Sequence, residues 1–453
     1  MSDVPRSSFL SALDARLERL GRPRVALGFG LFALIVYLVT DPLHANVYAH
    51  YVWQADAWLH GRFDIAWPVS DGAVRNDYYH DILPARGQPG LGTIPYPPLP
   101  AVVLLPFVAA FGIGLDAESV AAAVGALNAA LAWLVASRLT SRPSTALAAA
   151  VFFSFGTVAW IAAGRGTTWY LAHDVAMACT FGAILATLSV GDLTGAGRPR
   201  RLFLAGLLLG LATLARLTVV FGAPFAAFGA LLDHEAGLPD RAHRLARAIR
   251  SAAPVGLGLA LPIAALLAYN LGSTGHLFQP AYEELYRTET PALESLRHLD
   301  WNIVDPRYIP QNLAIMLLEP PTLTRQCGVL ATARECPDAA KMLTLTPDPL
   351  GMSLLLTSPG WLVGLAALRR PRTRLAVAAG TAVAAIAVVD LMHFSQGWVQ
   401  FGYRFSNDWA PFGLVLVALG LERIGLRRWT LALIGVSIAV VLWGATWAEL
   451  FGW

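Results

Sequence analysis

Long apolar stretches recur along the chain, joined by polar, arginine-rich turns. A helix that crosses a bilayer needs about 20 apolar residues. Segments 25–41, 119–137, 144–163, 174–191, 253–270, 350–368, 374–392, 408–422 and 429–447 meet or approach that length. Two stretches break the pattern. Residues 98–114 are short and follow the run YPPLP, whose prolines stop any helix before it. Residues 202–232 are too long for one upright pass and too short for two, which predicts two half-depth helices turning near Arg216. Two long polar segments interrupt the apolar pattern. In the first, 42–97, Tyr48–His60 predicts a helix too polar to span and suited to the membrane surface. In the second, 272–349, DPRYIPQNLAIMLLEPP predicts an amphipathic helix after a proline break. Residues 1–24 put Phe9, Leu10, Leu13, Leu17 and Leu20 on one helical face, a cytoplasmic surface segment with no signal-peptide cleavage site after it.

Composition sharpens this picture. Of 453 residues, 56% are hydrophobic and only 14% charged, and mean hydropathy is +0.54. Soluble domains carry about 25% charged residues, so this is a polytopic membrane protein. The net charge of +3 gives no case for nucleic acid. Lys341 is the only lysine, so arginine sets the sidedness. Clusters at the N-terminus, Arg138/Arg142, Arg198/Arg200/Arg201, Arg241–Arg250, Arg369–Arg374 and Arg423–Arg428 are placed inside by the positive-inside rule. Segments 42–97, 164–173, 271–349 and 393–407 then share the outer side, and an odd count of crossings before Arg138 asks that one of 98–114 and 119–137 be re-entrant, 98–114 being the expected one, or that the Arg138 loop break the charge rule. The expected fold is an all-α polytopic bundle of 11 or 12 transmembrane helices, with two long outer loops carrying interfacial helices. It divides into the segment 1–24, a transmembrane module 25–271 holding the first loop and the chemistry, the loop 272–349, and a C-terminal module 350–453.

Ionisable groups at membrane depth are costly, and their grouping on one side points to a site. Asp81, in NDYYHDILPARG, sits after a turn, beside Tyr79 and His80. Asp174 opens a predicted helix, where capping alone accounts for it, and His173 adjoins it. Asp41 and Asp56 read equally well as structural groups. Arg216, between two half-helices, calls for an anion, and a phosphate fits its fork. Arg404, beside Tyr403, offers a second cation. Cys327 and Cys336 form a disulfide candidate on an oxidising outer face, while Cys179 lies in a membrane helix. No HExxH, EF-hand or DxD spacing occurs, so no cofactor is required by the sequence, and a divalent cation is left to folded geometry. GxxxxGK and GxSxG are also absent.

Several motifs together resemble the GT-C superfamily of membrane glycosyltransferases, in particular protein O-mannosyltransferases and aminoarabinose transferases. They are the first outer loop with its surface helix, YPPLPAVVLLPFVAAFG, RGTTWYLAHD, AGLLLGLATLARLTVVFGAPF, YNLGSTGHLFQPAYEELY and QFGYRFSNDWAPF. The resemblance implies a polyprenyl-phosphate-linked sugar as donor, inversion at the sugar carbon, and an essential acid in the first outer loop. It places the active site on the extracytoplasmic face of a bacterial inner membrane. The chain departs from the pattern soon after the first helix, where HANVYAHY puts Asn46 and His50 in place of a carboxylate. The base must then be another residue, Asp81 first and Asp56 second, with Asp174 matching the second acidic position. Arg216, Arg404 and Tyr403 are the expected donor-phosphate ligands. His50, Tyr79, His80 and His173 are the expected substrate contacts.

The chemistry agrees with such a layout. A polyprenyl phosphate leaves as a stable anion, so one carboxylate suffices, unlike the pair that glycoside hydrolysis uses. The acceptor, a glycan, lipid or protein, stays open. Two other readings are a transporter or flippase of a lipid-linked saccharide and a non-catalytic assembly factor.

Overall fold

The structure, a computed structural model, describes residues 8–42, 48–66, 81–85, 90–192, 197–229, 241–288, 301–326, 342–370, 373–395, 397 and 400–451. Helix α1 (Ser8–Leu20) leaves Phe9 exposed and is tied to the bundle by Asp14, whose Oδ1 accepts the backbone N–H of Ser144 at 2.7 Å. Among the described residues, six helices are long and apolar enough to cross a membrane: Arg22–Thr40 (α2), Ala117–Leu139 (α5), Thr168–Asp192, Ala252–Thr274, Arg374–Leu391 and Arg428–Thr446. The expected span 144–163 is instead a pair of helices, α6 (Pro143–Phe155) and α7 (Ala159–Arg165), bent by 53° at the break between them, and the count reaches seven if the pair is taken as one span. That is fewer than the 11 or 12 expected. The other segments with an apolar signal are built from shorter or more polar pieces. These are α9 (Gly197–Thr213), a 3-10 turn at Leu217–Gly222 with α10 (Ala223–Gly229), a 3-10 stretch at Pro359–Leu368, and Ser406–Ile424.

Helix α3 spans His50–Leu59, within the run predicted. Its setting differs from the expectation. His50, Tyr51, Val52, Trp53, Gln54, Ala55 and Ala57 are buried, so its aromatic rings pack into the protein and not into lipid. The element that covers it is α4 (Leu99–Phe111), 13 residues long and containing Pro106. At 1.5 Å per residue such a helix falls short of a bilayer. Both of its ends lie on one side. Pro97 lines the cavity described below, and Glu118, just inside α5, lies against Gly166 at the end of α7. The stretch 98–114 therefore re-enters, one of the arrangements that charge counting leaves open.

Sidedness is legible in the contacts. The C-terminal end of α5 carries Arg138, paired with Asp192 at 2.7 Å below α8 (Thr168–Leu188). Arg423 donates to the carbonyls of Arg369 and Arg370 at 2.7 and 2.8 Å. Arginine-rich ends thus meet arginine-rich ends.

The segment 202–232 breaks where expected. After α9 the chain turns at Arg216 and runs back as the 3-10 turn and α10. Close packing holds α9 to α11 (Arg241–Thr274). A Cβ on Gly206 would lie 2.0 Å from the Val255 carbonyl oxygen, and one on Gly258 would lie 2.1 Å from that of Phe203. The small-residue pair in GLLLG lets the backbones approach where lipid supplies no hydrophobic driving force between helices.

The outer segments complete the molecule. Strands β1 (Ile65–Ala66), β2 (Leu83–Pro84) and β3 (Leu91–Thr93) form a small antiparallel sheet in the order β1-β3-β2. Helix α12 covers Ala281–Thr288, and α13, the amphipathic helix anticipated after the proline break, covers Ile309–Leu318. A hairpin, β4 (Thr322–Gln326) with β5 (Met342–Thr346), follows. Helices α14 (Arg374–Leu391), α15 (Ser406–Ile424) and α16 (Arg428–Phe451) end the chain. Cys327 and Cys336, the disulfide candidates, lie outside the described residues.

Candidate functional site

The outer segments close over a cavity of about 550 Å³. Its polar groups come from everywhere the sequence placed outside: Asp81 before β2, Tyr96, Trp169 in α8, Arg216 and Thr218 at the break, Glu283 in α12, Asn302, Asp390, His393 and Arg404. The loop 272–349 and the C-terminal module thus contribute as directly as residues 25–271.

Asp81 is held by a relay of donors. Its carboxylate accepts the Tyr96 hydroxyl, and that hydroxyl in turn accepts Trp169 Nε1–H at 2.9 Å. Pro95 and Pro97 flank Tyr96 and stiffen its position. Trp169 continues the line, because the Arg404 guanidinium lies 5.8 Å from its ring centroid. Tyr170 and Phe405 also face that guanidinium, each at 5.7 Å. Three rings around one cation suit the quadrupole attraction between them. Arg404 has no ion-pair partner among the described residues, and its Nε is buried without a hydrogen-bond partner there. Gly397 supports it from the other side. Its φ of +98° favours glycine, and a Cβ there would lie 2.7 Å from Arg404 Nε.

Arg216 is placed differently. It forms a bidentate pair with Asp408, through Nε at 3.0 Å to Oδ1 and Nη2 at 2.8 Å to Oδ2, with the Phe405 ring 5.2 Å from its Cζ. Its position as the residue before the 3-10 turn is what brings it to the cavity wall.

Another part of the wall comes from a strand-like clamp. Asp305 N donates to the Met392 carbonyl at 2.8 Å, and Phe394 N donates to that of Ile303 at 2.8 Å. Asn312 Nδ2 donates to the carbonyls of Leu391 and His393 at 2.8 and 2.7 Å, closing the orphan end of α14. His393 is thereby fixed in the lining, its ring stacked on Tyr282 with centroids 6.0 Å apart. Burial pushes its imidazole down to about 4, so it is neutral near pH 7. Its Nδ1 lies 2.7 Å from the Ser395 carbonyl oxygen and 3.2 Å from the Ser395 backbone nitrogen, so the loop that follows holds the ring in place.

Several expected site residues lie elsewhere. Asp56 is at the outer surface of α3, near His60 Nδ1 at 3.4 Å and Arg62 Nη2 at 3.8 Å, outside the cavity lining. Asp174 does not open its helix, because α8 starts six residues earlier at Thr168. It is fully buried among helices, away from the lining, and its carbonyl accepts Asn128 Nδ2 at 3.0 Å. His173 faces Asp408 at 2.7 Å and not the cavity. Tyr403 is buried against Phe405 behind the lining. His50 is buried behind Tyr96 and Trp169, its Nδ1 2.9 Å from Thr168 Oγ1, and burial lowers it to about 4. Tyr79 and His80 lie outside the described residues. Among the described residues no three His, Cys, Asp or Glu side chains converge as a metal site would require. The sequence reading missed Tyr96, Trp169 and Glu283, and it missed Asp390. An acid near the end of an apolar span, in AVVDLMHF, was the available signal.

No family model matches the sequence, and no curated protein does. A crystal structure of ArnT from Cupriavidus metallidurans bound to undecaprenyl phosphate matches with a TM-score of 0.50 at 16% identity, over 92% of this chain and 62% of that one. The chain is similar in fold to ArnT. An apo-state crystal structure of ArnT from the same organism gives a TM-score of 0.47 at 18% identity, over 90% of this chain and 61% of that one. The chain thus spans about three-fifths of the ArnT chain it matches. What is shared is the polytopic helical membrane architecture.

Proposed function

We propose that this protein is an inverting glycosyltransferase that moves a sugar from a polyprenyl-phosphate donor to an acceptor hydroxyl on the outer face of the bacterial inner membrane. The observation that carries this reading is one cavity lined by both the Asp81 carboxylate and the Arg404 guanidinium, the latter without an ion-pair partner among the described residues. The undecaprenyl phosphate bound by ArnT supports a donor of this class. So does the apolar part of the wall, Leu217, Phe221, Leu266 and Val389, of which Leu217 and Phe221 are also exposed on the molecular surface. A prenyl chain leaving the cavity between these residues passes into lipid.

In this mechanism Asp81 takes the proton of the acceptor hydroxyl. The acceptor oxygen bonds to the anomeric carbon as the bond from that carbon to the phosphate oxygen breaks, and the configuration inverts. The phosphate leaves with the electron pair and needs no proton, because Arg404 and the open edge of Arg216 meet the growing charge. Asp81 later returns its proton to water. A positioned base contributes roughly 10²–10⁴ in rate. Tyr96 keeps the Asp81 carboxylate aimed into the cavity, and aromatic rings flank the space a sugar would fill.

The test is purified protein with a panel of polyprenyl-phosphate sugars, following donor loss and the anomeric configuration of the product. Transfer or slow donor hydrolysis with inversion supports the reading. Absence of binding and turnover with every donor sinks it, and labelled lipid crossing a proteoliposome unchanged puts a transporter in its place.

A further inference from the structure

One buried carboxylate ties the cavity wall together. Asp408, fully buried in α15, accepts Arg216 Nε at 3.0 Å and Nη2 at 2.8 Å, His173 Nδ1 at 2.7 Å and Thr218 Oγ1 at 2.7 Å. A carboxylate offers about four lone-pair sites, which these donors take up, and the Asp390 carboxyl lies within hydrogen-bonding reach of it as well. The donors come from two other places in the chain: His173 from the interior of α8, and Arg216 and Thr218 from the break after α9. The break is the part of the wall with least backbone support of its own, and Asp408 pins it to two continuous helices.

The pairing also orients Arg216. Its side chain keeps 21% exposure while that of Asp408 has none. With Nε and Nη2 committed to Asp408, the Nη1 edge is what remains for the cavity. Phe405, 5.2 Å from Cζ, fixes the plane of the guanidinium. Asp390 lines the same cavity and offers a competing carboxylate. Without Asp408, Arg216 would turn to Asp390 and withdraw its free edge.

We propose that Asp408 is a positioning residue that locks Arg216 so that its remaining edge donates to the phosphate of the lipid-linked donor, which rests on the donor class proposed above. Arg216 and Asp408 cancel in charge, so Arg216 contributes direction, and Arg404 supplies the net positive charge.

The experiment uses the full chain in nanodiscs and undecaprenyl phosphate as probe, with Asp408→Asn, Arg216→Gln and the double variant. Losing one aimed, charge-assisted bond weakens binding about tenfold. Each single variant is expected to lose that much, and the double no more than either, because the two side chains act as one unit. Thermal stability is expected to move otherwise. Each single variant melts lower, since it strands a buried charge, and the double recovers part of the loss. Thr218→Val removes one donor without stranding a charge and is expected to weaken binding about threefold, which keeps the test decisive should Asp408→Asn not fold. If Asp408→Asn or Thr218→Val melts lower yet binds the probe like wild type, Asp408 is only a strut and the inference falls while the donor reading stands. If the binding losses of the two single variants add in the double, the two side chains act independently and the inference also falls. If wild type binds no probe, the donor reading falls and takes the inference with it.

Discussion

Asp81→Asn isolates the chemistry from the fold. Asn has the shape of Asp, and its carbonyl oxygen still accepts the Tyr96 hydroxyl, so the Trp169–Tyr96–81 relay survives. Position 81 is buried at the cavity wall, and the exchange adds no volume and removes none. Donor affinity is therefore expected to stay within about threefold, a difference of about 0.7 kcal/mol. What is lost is the acceptor for the proton. A positioned base is worth roughly 10²–10⁴, so kcat is expected to fall by that factor, or about 2.7–5.4 kcal/mol in barrier. The assay measures donor binding by native mass spectrometry and turnover by loss of lipid-linked sugar, on the same preparations. Asp56→Asn is the control. Its half-buried carboxylate pairs with the exposed His60 and Arg62 at 3.4 and 3.8 Å, where such contacts contribute about 0–1 kcal/mol to stability, and turnover should change less than about threefold. If Asp81→Asn keeps kcat within tenfold of wild type, Asp81 is not the base, and Glu283 and Asp390, the other carboxylates in the lining, become the candidates.

Further outcomes follow from other parts of the structure. Arg404→Gln should weaken donor binding by about 10- to 100-fold, because it removes the cavity's cation without ion-pair partner. Gly397→Ala should reproduce part of that loss by pushing the guanidinium off its seat, and equal affinity in both variants and wild type would count against Arg404 as the anion ligand. Gly206→Val should destabilise the α9–α11 contact by about 1–3 kcal/mol or prevent insertion, read as a lower melting temperature or lost monodispersity. Acid should destabilise the protein through His50 and His393. Both are held down to about 4 by burial, whereas the unfolded chain titrates near 6.5. Between those values the unfolded state binds more protons, so stability is full above about pH 6.5 and is lost as pH falls toward 4. Melting temperatures from pH 8 to 4 should show this slope, and His50→Asn should flatten it. An unchanged slope would show that the ring is not the titrating group.

The site was partly legible in the sequence, for identifiable reasons. Arg216 and Arg404 could be picked out because a cation amid apolar or aromatic residues is expensive, and expense is visible without a fold. Asp81 stood out by following a turn in a polar loop. Asp56 and Asp174 looked as good, because a linear sequence does not say which way a carboxylate faces. Asp56 faces His60 and Arg62 away from the cavity, and Asp174 is enclosed among helices because α8 starts at Thr168 and not at 174. Asp390 went unnoticed since one acid in an apolar run barely changes its hydropathy.

What the sequence determined by itself is the set of quantities that add along the chain. Hydropathy marked most of the segments at membrane depth, arginine clusters assigned their ends, the YPPLP prolines stopped the helix that would have made 98–114 a full pass, and residues 202–232 were too few to cross twice without a break at Arg216. Tertiary structure decided everything that depends on direction and neighbours. It buried α3 under α4, bent 143–165 by 53°, and joined Asp81, Glu283, Asp390 and Arg404 around one space. It also closed Arg216 onto Asp408, 192 residues away, and left Arg404 without an ion-pair partner among the described residues. Residue type fixes the cost of placing a charge in the membrane, but only the fold supplies the partner that meets it.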